Sequence, residues 1–194
     1  MAGSRHVRYE RRMDPSTAID IGRPQSGDVV DLILADHRRF EELLRQLRSS
    51  DADRDAVRLA FSALHVAHAA AEERHVYPRL WRLRAVAKHE AEHGEHEHAD
   101  GNEALLAVLE CSSTTTQKFD DAVEELTSVI SHHLAEEELT ILNGARDEIG
   151  DRVRRDLGAA FCRERNAQID ADCGRVANVR KLVRRAASEG LLET

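Results

Sequence analysis

From residue 28 onward, apolar side chains recur every three or four positions, the period of helices with one buried face. Val30, Ile33, Leu34, Phe40, Leu44 and Leu47 predict a first helix over about 28–48. Val57, Phe61 and Leu64 open a second over about 53–83, which Pro78 should bend or end near Tyr77. A third begins near Ala85, with Gly94 or Gly101 as expected breaks before Glu103–Leu109. Phe119, Val123, Leu126, Ile130 and Ile141 mark a fourth over about 117–143, which Asn143-Gly144 should stop. Two further helices are expected near Glu148–Asn166 and Arg175–Ser188. Residues 1–27 hold Pro15, Pro24 and little apolar pattern, and read as a flexible arm. Strand signals are weak throughout. The expected fold is all-α: an antiparallel, up-down four-helix bundle over 28–146 with a C-terminal helical extension over 147–194.

Within these stripes, polar residues stand where apolar ones belong. His37 lies in the first helix's stripe, His68 and Glu72 in the second, and His133 and Glu137 in the fourth. The third helix offers Glu92-His93, with His89 one turn earlier. A bare carboxylate is costly to bury, so interruptions on several helices call for a common cause. An internal repeat supplies one. His68-Ala-Ala-Ala-Glu72-Glu73 and His133-Leu-Ala-Glu136-Glu137-Glu138 both read His, then Glu at the fourth and fifth following positions. An apolar or aromatic residue (Tyr77, Leu142) and a helix-ending one (Pro78, Asn143) follow in each. A His and a Glu four apart stack on one helical face and can reach one metal centre. His132 is set aside because only His133 keeps the repeat register.

These motifs resemble the hemerythrin-like (HHE cation-binding) family over about 28–146. The resemblance implies a metal site of His37, His68, Glu72, His89, His93, His133 and Glu137. It further implies two non-haem iron ions (Fe2+/Fe3+), bridged by Glu72, Glu137 and an oxo or hydroxo group. His89, His93 and His133 would complete one iron. His37 and His68 would serve the other, with a position open to dioxygen, peroxide or nitric oxide. Oxygen carriers of that family place Asp five residues after the histidine of the fourth helix. Here the residue is Glu137, four after His133, and a longer side chain alters the bridge. His65 and His96 stand beside proposed ligands as substitutes or supporting groups.

The stretch KHEAEHGEHEH, Lys88 to His98, carries a rival reading. His89-Glu90-Ala91-Glu92-His93 fits the H-E-x-x-H pattern of zinc hydrolases, with Glu90 as general base. The match is weak in a segment so rich in His and Glu, and the longer protease pattern does not continue. His96 and His98 read as a solvated stretch. Tyr77 reads as core packing that could line the site.

Composition narrows the function. A formal net charge of -8 argues against a nucleic-acid surface, and no apolar run reaches membrane-span length. The basic N-terminus lacks the apolar stretch of a secretory signal. Three separated cysteines, Cys111, Cys162 and Cys173, suit a reducing cytoplasm, with a Cys162/Cys173 redox pair as the lesser reading. The arginine-rich C-terminal part, Arg165 included, would pack on the bundle or meet a partner. The expected protein is a cytoplasmic monomer or homodimer that binds dioxygen, peroxide or nitric oxide, for oxygen binding or sensing or for catalase-like peroxide removal. The runner-up is a di-iron oxygenase acting on a small organic substrate, which would need an external electron donor.

Overall fold

The computed structural model describes residues 19–192, all of whose regular elements are helical. They are α1 (Val29–Leu47), α2 (Arg54–Ala71), a wide π turn (Glu72–Val76), α3 (Tyr77–Arg82), α4 (Lys88–Glu110), α5 (Gln117–Leu139), α6 (Ile141–Glu148), α7 (Asp151–Asp170) and α8 (Val176–Glu189). Acidic and hydroxyl caps start three of them. Asp28 accepts from the Val30 N–H, Asp53 from that of Ala56 and Thr116 from that of Phe119.

Three boundaries differ from the sequence reading. The second helix does not run straight to Pro78. It widens at Glu72, where the Tyr77 N–H reaches the Glu72 carbonyl five residues back, and Pro78 then opens α3. A proline ring clashes with the carbonyl four residues earlier, and the wide turn relieves that clash. Neither Gly94 nor Gly101 breaks α4. A Cβ on Gly94 would stand 3.0 Å from the Tyr77 ring, and one on Gly101 would stand 3.0 Å from the His65 ring. Both glycines thus clear space for buried side chains within a continuous helix. The fourth helix breaks at Thr140, whose hydroxyl donates to the Glu136 carbonyl. Gly144 lies inside α6, because a Cβ there would collide with the Ala85 carbonyl.

Helices α1, α2, α4 and α5 form the bundle, each packing on its two neighbours in the order α1, α2, α4, α5 and back to α1. Two apolar clusters fill it. One gathers Phe40, Phe61, Leu64, Leu105, Phe119 and Ile130; the other gathers Ile33, Ala71, Tyr77, Ala91, Ile141 and Phe161. The polar interruptions fall between the two: His37 between Ile33 and Phe40, His68 between Leu64 and Ala71.

Helix α7 packs on α2 and α1, and α8 packs on α4. Residues 19–27 run along α7, where Arg165 donates to the carbonyls of Ile21 and Gly22 and Asn166 to that of Pro24. This part of the expected flexible arm is therefore tied down; residues 1–18 lie outside the described residues. Cys111, Cys162 and Cys173 are free and buried, so Cys162 and Cys173 form no disulfide. Among the described residues, no helix is long and apolar enough to cross a membrane.

Candidate metal centre

Four helices each place one imidazole in the layer between the apolar clusters: His37 from α1, His68 from α2, His98 from α4 and His133 from α5. Glu72 and Glu137 lie among them, each no more than 1% exposed. The Nε2 atoms point inward at this carboxylate pair. His68 Nε2 lies 3.0 Å and His98 Nε2 3.3 Å from Glu72 Oε2. His37 Nε2 lies 3.2 Å and His133 Nε2 3.7 Å from Glu137 Oε2. Close as they are, these contacts lack hydrogen-bond alignment, and all four Nε2 atoms, with Glu72 Oε1 and Glu137 Oε2, are buried without a hydrogen-bond partner.

The outward ring nitrogens are each held. His37 Nδ1 lies 2.9 Å from Glu138, His68 Nδ1 3.2 Å from Asp36, His98 Nδ1 2.9 Å from Glu73 and His133 Nδ1 3.0 Å from Glu97. A carboxylate only accepts, so each Nδ1 carries a proton, and Nε2 is the ring atom turned inward, able to give its lone pair to a cation that displaces any proton there. Metal-binding histidines are oriented in this way. Buried, unpaired polar atoms are costly, and a cation in their midst would satisfy all of them at once. The donor set therefore fits a metal. The ligand atoms of His37, His68, Glu72 and Glu137 lie within 4.8 Å of one another, as do those of Glu72, His98 and His133. The two sets share Glu72.

The structure brings together five of the seven residues expected from the sequence: His37, His68, Glu72, His133 and Glu137. It does not bring His89 or His93 to this layer. His89 is exposed, and the His93 side chain is 57% exposed and paired with Glu136. His98, read as solvated, is 1% exposed and takes the inward place. Helix phase is the reason: the two positions differ by five residues, or about 140° around the axis. Counting back in steps of three and four from Val108 and Leu105 gives Gly101, His98, Gly94 and Ala91. That signal is hidden if the helix is taken to break at its glycines. Glu90 accepts from the Ala87 N–H and so caps α4, a structural use that leaves the hydrolase pattern without its base. His96 Nδ1 lies 3.2 Å from the Leu191 carbonyl, away from the centre.

Three supporting residues complete the layer. The Tyr77 hydroxyl donates to Glu137 Oε1 at 3.0 Å, and its ring stacks 5.7 Å from that of His98. Burial and the Glu137 and Glu72 charges push its pKa well above 10, so it keeps its proton. His65 is buried against Phe61, its rings stacked at 5.9 Å. Burial first, then the neighbouring imidazoles, hold it well below 6.5 and therefore neutral. Arg165, from α7, is fully buried and clamps Asp36 with two hydrogen bonds of 2.7 and 2.9 Å.

Burial disfavours charge on His68 and His98, yet the acids beside them win. Glu72 and Asp36 lift His68 to about 9, and Glu72 and Glu73 lift His98 to about 10. Burial would raise Glu72, but the same histidines hold it well below 4.5. In the metal-free protein, the stabilisation from the two histidines is complete below pH 6.5 and fades as the pH climbs through about 9 and about 10. That from Glu72 is complete above pH 4.5 and fades on acidification below it. Urea unfolding of metal-free protein is expected to show a higher midpoint at pH 7 than at pH 10; equal midpoints would count against this charge pattern.

Comparison with known proteins agrees with this chemistry. A DNA nickase of Nostoc sp. (strain PCC 7120 / SAG 25.82 / UTEX 2576) is 25% identical over 140 residues, which is 71% of this chain and 39% of the Nostoc protein. The chain thus spans about two fifths of that relative's length. No solved structure matches. The Hemerythrin HHE cation binding domain matches residues 28–144, a span that contains every inward histidine and both carboxylates. By that match and by the buried His/Glu clusters it encloses, the chain belongs to the hemerythrin HHE cation-binding domain family.

Proposed function

We propose that this protein is a non-haem di-iron protein that binds dioxygen, peroxide or nitric oxide. His37 and His68 would hold one iron, His98 and His133 the other, and Glu72 and Glu137 would be shared. The observation that carries the reading is the convergence of four inward, unpartnered Nε2 atoms on two buried carboxylates, in two overlapping sets that share Glu72. Imidazole with carboxylate suits iron or manganese, and no cysteine is among the donors. Iron held there would supply redox and Lewis-acid chemistry toward a small oxygen-containing ligand.

The protein's own groups do the rest. Glu138, Asp36, Glu73 and Glu97 fix the orientation of the four imidazoles, Nδ1 outward and Nε2 inward. Phe40 and Phe161 stand edge-on to His68, at 5.1 and 5.6 Å, and exclude water from that side. Tyr77 holds its proton on the hydroxyl directed at Glu137. Free, buried cysteines suit a reducing cytoplasm. A formal net charge of -8 makes a phosphate backbone a poor ligand, so the nicking activity named for the Nostoc protein is not carried over.

Metal analysis of protein purified without a histidine tag, with spectra before and after azide and peroxide, tests the reading. Two irons per chain and an azide-dependent absorption band are the expected result. A single ion, or zinc in place of iron, would refute it. Fast consumption of peroxide would identify a detoxifying enzyme, and a lasting coloured adduct would identify a carrier or sensor.

A further inference from the structure

A second His/Glu cluster lies on the outer side of Glu97. His93 and Glu97 are one turn apart on α4, and His132 and Glu136 one turn apart on α5. His93 Nε2 lies 3.0 Å from Glu136 Oε2 and 3.9 Å from Glu97 Oε1. His132 Nε2 lies 3.3 Å from Glu136 Oε1 and 3.9 Å from Glu97 Oε1. The ligand atoms of His93, Glu97 and Glu136 all fall within 4.8 Å of one another.

Glu97 separates this cluster from an ordinary surface ion pair. The residue is only 8% exposed. Its Oε2 holds His133 of the inner centre, while its Oε1 is buried, faces His93 and His132, and has no hydrogen-bond partner. An unpaired carboxylate oxygen is costly to bury. A cation between it, the two imidazoles and Glu136 would remove that cost. The cluster also has a way in and a way onward. A surface pocket of about 270 Å³ is lined by His93, Glu97 and Glu136 and extends to Glu137 of the inner centre. His89 lies on the pocket wall. His89 and His132 both fall outside the set of close ligand atoms, but of the two only His132 brings its Nε2 within 4 Å of both carboxylates, 3.3 Å from Glu136 and 3.9 Å from Glu97.

We infer that His93, His132, Glu136 and Glu97 form an outer site for a divalent cation, which stages metal for the inner centre. Two imidazoles and two carboxylates suit Fe2+, Mn2+ or Zn2+; calcium prefers oxygen alone, and copper(I) prefers sulfur. Glu97 serves both places, one oxygen steadying His133 and the other receiving the incoming ion. The staging role rests on the inner centre being a metal site; the outer site does not.

Co2+ titrated into metal-free, full-length protein tests this, with bound ions counted by equilibrium dialysis and uptake followed by stopped-flow absorbance. His93 and His132 are exposed, so His93→Ala/His132→Ala should fold normally. This variant is expected to bind one ion fewer than the wild type under conditions that saturate the latter, with outer-site affinity reduced at least about 10-fold. Its inner centre should fill more slowly. An unchanged ion count would overturn the site and leave His93 and Glu136 as a surface ion pair. A lower count with an unchanged filling rate would overturn the staging role. Glu72→Gln/Glu137→Gln provides the separation from the inner reading: it should keep the outer ion. If the wild type binds only that one ion, the di-iron proposal fails while the outer site stands.

Discussion

Arg165→Met is expected to destabilise the protein by about 3–5 kcal/mol, because it removes one partner of a buried ion pair and leaves the other charged. Asp36 is 6% exposed and takes two hydrogen bonds from the guanidinium. Methionine fills much of the volume but donates nothing. The same change releases the carbonyls of Ile21 and Gly22, so residues 19–27 should loosen from α7. Urea unfolding measures the first effect and hydrogen exchange at residues 19–27 the second. A loss under about 1 kcal/mol would place the pair among weak surface bridges. Replacing both partners, as in Asp36→Leu/Arg165→Met, should recover only part of the loss: the unpaired carboxylate is gone, but buried His68 Nδ1 loses its acceptor. The inner centre should feel the single change as well. Asp36 Oδ2 sits between Arg165 Nε and His68 Nδ1, and without the clamp the His68 ring loses its fixed orientation. Removing such an outer partner typically costs about 10–100-fold in metal affinity.

His98→Ala is expected to weaken metal binding at the inner centre by more than about 100-fold, beyond what the loss of an outer partner does. The ring supplies an inward Nε2 and stacks on Tyr77. Its removal also leaves Glu72 with fewer positive neighbours. His89→Ala, on an exposed ring, should keep the inner metal in full. Metal content of the two variants after identical desalting decides between them. The reverse outcome, with metal retained by His98→Ala and lost by His89→Ala, would return the α4 ligand to the position read from the sequence.

The helices and much of the centre can be read from the residues, and each departure has a physical origin. His37, His68 and His133 were legible because each continues an apolar stripe on both sides: Ile33 and Phe40, Leu64 and Ala71, and Ile130 with, beyond Glu137, Ile141. Glu72 and Glu137 were legible through the repeat. His98 was not, because Gly94 and Gly101 read as breaks when they are clearances for Tyr77 and His65. A glycine's local preference says nothing of what packs against it. Arg165 was one arginine among many in the C-terminal part. Its burial follows from α7 lying against α1 and α2, a contact spanning 129 residues that no local pattern encodes.

By itself the chain's pattern determined an all-helical bundle and the residue types of its interior metal layer, because helical period and the cost of burying charge act along one element at a time. Only the tertiary structure decided which imidazole of α4 faces inward, which acids hold the outer ring nitrogens, and that α7 supplies the arginine clamping Asp36. Those outcomes depend on how separate helices are phased and packed, and the energies that select them arise between elements distant in the chain.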